Sequence, residues 1–382
     1  MNIQLKSKLP HVKTTIFTVM GKLAVANNAI NLSQGFPNFN TSKELIALVN
    51  KAMRKGHNQY APMPGIFSLR KGIAEKIEHL YGISYNPETE ITITAGATQA
   101  IFTAIGACVE KGDEVILFKP AYDCYEPAIE LFGGKPIAIQ LDPLTFTIDW
   151  ESVEKAISDK TKMIIINSPH NPSGRVLHKD DMLRLESLLK NTNILLLSDE
   201  VYEHIIFDGE MHQTAALFPA LAERAFMIAS FGKTFHNTGW KVGYCVAPAE
   251  LTKEFRKVHQ FNVFSVNHPV QVAFANYIKS PQNYLELSNF YQDKRDLFLS
   301  LLTTSRFEFI PSKGTYFQLL DYHKITEEYD YDVAVRLTKE KKIASIPVSV
   351  FNVANYDTNV LRFCFAKTDD TLKKAAEILC QI

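Results

Sequence analysis

Between about Glu90 and Pro248, short aliphatic runs alternate with longer stretches of helical period. The runs are Ile91-Thr92-Ile93-Thr94, Glu114-Val115-Ile116-Leu117-Phe118, Met163-Ile164-Ile165-Ile166 and Ile194-Leu195-Leu196-Leu197. Continuous apolar strands separated by helical segments belong to a mostly parallel sheet buried on both faces. The chain is therefore predicted to contain an α/β domain with helices flanking a central sheet. In such a sheet, ligands collect outside the carboxyl ends of the strands. The runs lead into Gly96 and a helix from Thr98, and stop at Pro120, Asn167 and Asp199.

After Pro281 the pattern changes to a long helical stretch reaching about Leu302. Strands are predicted over Phe307 to Asp321, Ile343 to Val350 and Val360 to Phe365, with a closing helix from Asp370. This reads as a smaller α+β domain. The expected division is 1–40 as an N-terminal arm and part of the small domain, 41–278 as the large domain, and 279–382 as the small C-terminal domain.

Composition narrows the function. A chain of 382 residues with 46% hydrophobic and 21% charged content suits a soluble enzyme of one to three domains. Formal net charge is zero, and no basic block offers a footprint for nucleic acid or an anionic membrane. Small-molecule chemistry is what remains. Cys108, Cys124, Cys245, Cys364 and Cys380 are widely spaced, without a CxxC pair, and read as reduced thiols. Met1 to Lys13 has no signal-like apolar region and no run approaches membrane-spanning length, so a cytoplasmic location is expected.

The chemistry concentrates at strand ends. Lys233 lies in Ser230-Phe231-Gly232-Lys233-Thr234, just after the apolar Phe226-Met227-Ile228-Ala229. Asp199 closes another apolar run in Ser198-Asp199-Glu200-Val201-Tyr202. A lysine amine can form a Schiff base with an aldehyde, and a buried carboxylate can keep a pyridine nitrogen protonated. The pair points to pyridoxal phosphate chemistry. Gly232-Lys233-Thr234 resembles the tail of a nucleotide-binding P-loop, but the glycine required five positions earlier is Met227. No GxGxxG follows a strand. A lone lysine is usually a solvated surface residue, but Ser230 and Lys241 add a hydroxyl and a second cation suited to a phosphate.

The other motifs each carry a plain reading beside the functional one. Asp199 to Tyr202 is either an acid-capped strand end or a ring-nitrogen partner with a phenol aimed at the ring hydroxyl. Asn167 to Gly174 is a Pro- and Gly-set turn on any reading, and Asn171 within it can donate to a phenolic oxygen or a substrate carboxylate. Thr94 to Ala100 is a junction of small residues. It serves close helix packing, or else Gly96, Ala97 and Thr98 hold phosphate with free N–H groups and the helix dipole. Tyr122 is either a core residue or a flat face against a pyridine ring. Arg362, in the apolar Val360 to Phe365, needs a partner: a structural carboxylate, or that of an amino-acid substrate. The histidines show no metal-ligand spacing, and His204 and His236 read as structural.

Taken together, Ser33-Gln34-Gly35-Phe36-Pro37, Gln59-Tyr60, Asn167 to Pro172, Ser198 to Tyr202, Ser230 to Lys233 and Gly239-Trp240-Lys241-Val242-Gly243 resemble the class I/II aminotransferases of fold type I. The resemblance spans essentially the whole chain. Through Gln34 to Pro37, Asp123-Cys124-Tyr125-Glu126-Pro127 and Gly314-Thr315-Tyr316-Phe317, it is strongest toward the bacterial methionine aminotransferases and the kynurenine/glutamine aminotransferases.

What the resemblance implies is a homodimer with shared active sites, working on an L-amino acid and a 2-oxo acid with pyridoxal 5′-phosphate. Lys233 is then the Schiff-base lysine, Asp199 the ring-nitrogen partner, and Tyr202 and Asn171 donors to the ring hydroxyl, with Tyr122 stacked on the ring. Phosphate falls to the backbone at Gly96, Ala97 and Thr98, to Ser230 and Lys241, and to Tyr60 of the second subunit. Arg362 binds the substrate carboxylate, helped by Asn171, with Gly35 close by. Two positions depart from the commoner family pattern: Lys241 stands where arginine is usual, and His236 where a small residue is usual. A lysine keeps the charge and loses the bidentate fork.

The implied reaction is a ping-pong transamination. Methionine is the first expected donor, with aromatic amino acids, histidine, glutamine and kynurenine as further candidates. Two rivals accompany it. A β-lyase can start from the same Cα proton when the substrate carries a sulfur leaving group. A non-catalytic ligand-sensing regulator would need a DNA-binding module, for which the fewer than about 35 residues before Gly35 leave no room.

Overall fold

The computed structural model describes residues 5–382. Its strands, in chain order, are β1 (Ile30–Asn31), β2 (Ile91–Thr94), β3 (Glu114–Lys119), β4 (Lys135–Gln140), β5 (Thr161–Asn167), β6 (Leu195–Asp199), β7 (Ala225–Ser230) and β8 (Gly243–Val246). They continue with β9 (Phe317–Asp321), β10 (Ile343–Ala344), β11 (Ile346–Pro347) and β12 (Val360–Cys364). All four aliphatic runs enter one seven-stranded sheet of order β2-β8-β7-β6-β5-β3-β4. From β4 to β7 every pairing is parallel, and β8 alone runs antiparallel to both its neighbours.

The continuous character of the runs follows from two-sided cover. Successive strand residues face opposite sides. Ile116, Ile164, Ile166 and Leu196 pack on one side with Leu69, Ile73 and Phe274 from helices Phe67–Tyr81 and His268–Tyr277. Val115, Leu117, Met163, Ile165 and Leu197 pack on the other with Ala100, Ile101 and Ala104 from helix Ala97–Cys108. Each such side chain stabilises by roughly 1.5–3 kcal/mol relative to exposure. Strand interiors are thus committed to packing, and polar groups are left to the strand ends.

The remaining strands form an antiparallel sheet, β11-β12-β9, and a parallel pair, β1-β10. Met20 from helix Ile16–Ala26 and Leu32 share their core with Phe298, Leu320, Ile343, Phe363 and Leu372. Residues near the start of the chain therefore pack with its last third.

Three elements differ from the sequence expectation. The run from Phe307 becomes a strand only at Phe317, because Pro311 and Gly314 interrupt it and Thr315 turns into the left-handed region at φ 64°. The run from Ile343 splits at Ser345: β10 pairs with β1 while β11 pairs with β12, so one stretch serves two sheets. The helix after Pro281 breaks at Glu286 into Gln282–Leu285 and Leu287–Leu301.

A buried ion pair braces the turn after β6. Lys76 donates to Glu203 Oε1 at 2.5 Å and to the Tyr244 hydroxyl at 2.7 Å, and lies 3.1 Å from His204 Nε2. Burial alone would raise the Glu203 carboxyl, but the Lys76 ammonium outweighs it and holds the group down to about 2. A carboxyl lowered this way contributes stability at neutral pH that is lost as pH falls through that value. Lys76→Met should cost about 3–5 kcal/mol by leaving Glu203 buried and unpaired, and adding Glu203→Gln should recover most of it. Urea unfolding at pH 7 checks both, and the loss in the single variant should shrink as pH is lowered toward about 2.

Candidate active site

Strand order determines what meets at the carboxyl edge of the sheet. Asn167 ends β5, Asp199 ends β6 and Ser230 ends β7, three adjacent strands. These residues, Gly96, Ala97, Thr98, Tyr122, Asn171, Tyr202, Lys233 and Lys241 all line one cavity of about 140 Å³.

Lys233 projects from a single helical turn, Phe231–Thr234, directly after β7. Its amine donates to the Tyr316 hydroxyl at 2.8 Å and to the Gly35 carbonyl at 3.3 Å. Burial pulls its titration down to about 8, with Arg362 and Lys241 adding to the effect. Lys233 is half-buried and Asp199 fully so, and no ion pair reaches Asp199 among the described residues. The Tyr125 hydroxyl donates to its Oδ2 at 2.6 Å and the Val201 amide to its Oδ1 at 3.3 Å. Burial raises Asp199 to about 6 against the pull of those bonds. Tyr202 stands edge-on to Tyr316, with ring centroids 5.2 Å apart, and the Lys233 amine sits 5.4 Å from its ring centre. Burial likewise pushes the Tyr202 phenol up.

In the same cavity the backbone forms an anion cradle. Gly96 precedes helix Ala97–Cys108 with φ 81° and no side-chain cap, leaving the first N–H groups free. A Cβ on Gly96 would come within 3.4 Å of Lys241 Cε and Nζ, so the ammonium lies beside this helix start. At Gly243 a Cβ would meet the Ala229 carbonyl at 2.6 Å, which is why β7 and β8 can close against the helix terminus. Free N–H groups, the helix dipole, the Ser230 hydroxyl and Lys241 are a donor set for a dianionic phosphate. Asp199 is an acceptor for a protonated ring nitrogen, and Tyr122, packed edge-on to Tyr125 at 6.0 Å, lines the same cavity. The residues fit pyridoxal phosphate.

Arg362 sits in the middle of β12 and is 1% exposed. It donates from Nη1 to Asn171 Oδ1 at 2.8 Å and from Nη2 to the Ser33 carbonyl at 2.9 Å. The Phe317 ring centre lies 3.9 Å from its guanidinium carbon and that of Phe17 5.2 Å. Among the described residues no carboxylate pairs with it, and its buried Nε has no partner. The structural carboxylate of the plain reading is thus missing. A buried guanidinium in this state gains from an anion that arrives from outside.

Gly35 comes to the site through its carbonyl, and a Cβ there would strike the Phe317 ring at 2.7 Å. Tyr60 does not line this cavity: it is 80% exposed and leans edge-on against Phe264 at 5.2 Å. His204 bonds within the Lys76 cluster, and His236 bonds through Nδ1 to the Tyr291 hydroxyl at 2.8 Å. Tyr125 and Tyr316 carry no role that the residues alone reveal. Both fall in quoted motifs, but Tyr125 is 74 residues from Asp199 in sequence, and no chain spacing records that bond.

A mostly parallel sheet with a half-buried lysine and a buried aspartate at its carboxyl edge, facing a phosphate cradle, defines a fold type I enzyme of pyridoxal phosphate. The chain belongs to the aminotransferase class I and II family, which residues 27–379 match. It is a pyridoxal-phosphate-dependent transaminase. It is 47% identical over 378 residues to the methionine aminotransferase of Escherichia coli, covering 99% of this chain and 98% of the relative. It is 34% identical to human kynurenine–oxoglutarate transaminase 3, with 97% and 89% covered. Among solved structures, an Escherichia coli protein described as having a methionine aminotransferase function superposes with a TM-score of 0.97 at 46% identity, with both chains fully covered. Aspartate aminotransferase of Thermus thermophilus with maleate gives 0.90 at 28%, again over both whole chains.

Asp199 provides a test of the site's electrostatics. A carboxyl raised by burial stabilises the fold below its unfolded value, and that contribution is lost as pH rises through about 6. The cofactor-free Asp199→Asn protein should therefore gain up to about 3 kcal/mol over wild type at pH 8 and almost nothing near pH 4. Its affinity for pyridoxal phosphate should fall more than about tenfold, since the ring-nitrogen partner is gone. Denaturant unfolding at the two pH values and a fluorescence titration with the cofactor measure the two effects.

Proposed function

We propose that this enzyme transfers the amino group of methionine, and of related apolar or aromatic L-amino acids, to a 2-oxo acid by a ping-pong route. The observation that carries the reading is Arg362: a buried guanidinium with an unsatisfied Nε and, among the described residues, no carboxylate partner, bonded to Asn171, which lines the cavity of Lys233 and Asp199. Phe17 and Phe317 beside it, with Phe351 packed against Phe17, offer apolar walls to a thioether or aromatic side chain. The identity to a methionine aminotransferase points the same way.

Pyridoxal phosphate, when bound, supplies an aldehyde carbon and an electron-accepting ring. Gly96, Ala97, Thr98, Ser230 and Lys241 hold its phosphate, and Tyr122 packs against the ring. Asp199 keeps the ring nitrogen protonated, while Tyr202 and Asn171 donate to the ring hydroxyl oxygen. Arg362 and Asn171 orient the substrate carboxylate, with Gly35 beside it. Lys233, lowered to about 8, has a neutral fraction at ordinary pH large enough to take the proton from the substrate Cα and return it.

The same proposal takes in the assembly. Tyr60, exposed here, reaches the phosphate of a second subunit in a homodimer. Residues 41–278 form the cofactor-binding domain, with 279–382 and the arm 1–40 as the smaller one; residues 1–4 lie outside the described part. Among the described residues no helix is long and apolar enough to cross a membrane, and the proposed location is the cytoplasm.

A panel of amino donors against several 2-oxo acids, run with purified holoenzyme, tests the substrate reading. Methionine should rank first, and a preference for dicarboxylic donors would overturn it. Borohydride should fix cofactor onto wild type but leave Lys233→Ala unlabelled in mass spectra. Arg362→Ala should lower kcat/KM for amino acids by about 2–4 kcal/mol of binding, while leaving cofactor affinity near that of wild type.

A further inference from the structure

The hydroxyl of Tyr316 stands between the Lys233 amine, 2.8 Å away, and the Gly35 carbonyl, 2.6 Å away, while the amine lies 3.3 Å from that same carbonyl. The three groups close a triangle in which Tyr316 is fully buried. Its single proton goes to Gly35, which can only accept. The phenol oxygen therefore faces Lys233 as an acceptor, and the amine must be the donor. A neutral amine that donates one N–H to each oxygen has its lone pair directed away from them.

The backbone around Tyr316 is held for this purpose. Thr315, a β-branched residue, sits in the left-handed region at φ 64°, and such strain persists only where its surroundings over-determine it. Its amide donates to the Ile205 carbonyl at 2.9 Å, its hydroxyl accepts from the Phe317 amide at 3.1 Å, and a Cβ on Gly314 would strike Pro169 at 2.6 Å. Phe317, the next residue, lies flat against Arg362. One short stretch, Gly314 to Phe317, thus positions both the amine and the carboxylate-binding fork.

We propose that Tyr316 is a positioning residue that holds the freed Lys233 amine, through its hydroxyl and with Gly35, in the orientation needed to exchange a proton with the substrate Cα. The role rests on the transaminase reading above and adds a residue to it. In the step concerned, the Cα–H bond breaks, its proton goes to the Lys233 nitrogen lone pair, and the electron pair stays on the Cα side of the broken bond. Tyr316 neither gains nor loses a proton, since burial keeps its phenol well above the ordinary range.

The test compares Tyr316→Phe with Tyr291→Phe. Tyr291 is an equally buried tyrosine of the same aromatic cluster, 5.6 Å from Tyr316, whose hydroxyl bonds His236 rather than Lys233. Two quantities are read. One is the exchange of the methionine Cα proton with D2O by holoenzyme. The other is the titration of the Lys233 amine in cofactor-free protein, from the pH dependence of its acetylation in mass spectra. Losing an acceptor removes a contact that favours the ammonium, so Tyr316→Phe should titrate at lower pH than wild type. Of the other ionisable neighbours, Cys364, Arg362, Lys241 and Asp199 make no bond to the Tyr316 hydroxyl, while Tyr202 loses its hydrogen bond to it.

Exchange should fall at least about tenfold in Tyr316→Phe and stay within about twofold in Tyr291→Phe. Unchanged exchange in Tyr316→Phe overturns the proposal. So does an equal loss in Tyr291→Phe, or a loss of exchange with no shift in the Lys233 titration. Should Tyr316→Phe not fold, Tyr316→Met fills the space without an oxygen and is judged by the same outcomes. A wild type that exchanges no methionine Cα proton would instead sink the methionine reading proposed above.

Discussion

At the carboxyl edge of the sheet Asp199 is buried and Lys233 half-buried, and among the described residues no ion pair joins them to each other or to a third charge. Leaving two charges desolvated is expensive, and the neighbouring structure is organised to limit the cost. Tyr125 and the Val201 amide support the carboxylate, while Tyr316 and Gly35 support the amine. Each partner is neutral. The charges stay uncompensated by counter-ions, and their titrations move toward neutrality, to about 6 and about 8. That leaves Asp199 free for a ring nitrogen and Lys233 free to cycle between neutral and charged.

Arg362 repeats the principle in the second core. Asn171 and Ser33 satisfy two of its nitrogens, the Phe317 ring covers its face, and Nε is left without a partner. The buried pair Lys76 and Glu203 shows the contrast. There, cation and anion meet at 2.5 Å beneath the turn that carries Asp199 and Tyr202, and the pair serves as a brace with nothing left over for a ligand. Whether a buried charge is paired within the chain separates the supporting network from the site.

Much of this was legible in the residues, and unevenly so. Continuous aliphatic runs are a local pattern with one good explanation, two-sided burial, so the parallel sheet could be read directly, and with it the strand ends where Asn167, Asp199 and Ser230 emerge. The stretches from Phe307 and Ile343 misled because apolar content does not reveal a left-handed Thr315 or a strand that changes partners at Ser345. Arg362 stood out as a charge among apolar neighbours, though nothing local could tell whether a carboxylate waited for it. Tyr125 and Tyr316 were invisible, since tyrosines in apolar surroundings are ordinary core residues until their hydroxyls are seen to have partners.

By itself the sequence determined the fold class, the order of its polar strand ends and the residue types gathered there, because hydrophobic periodicity and local motifs are properties of neighbours along the chain. The tertiary structure alone decided that Asp199 is buried and Lys233 half-buried, that among the described residues neither has an ion-pair partner and Arg362 has no carboxylate, and that Tyr316 holds the lysine amine. These depend on distances between segments far apart in sequence. A charge's burial and its partners become facts only when the chain has closed around it.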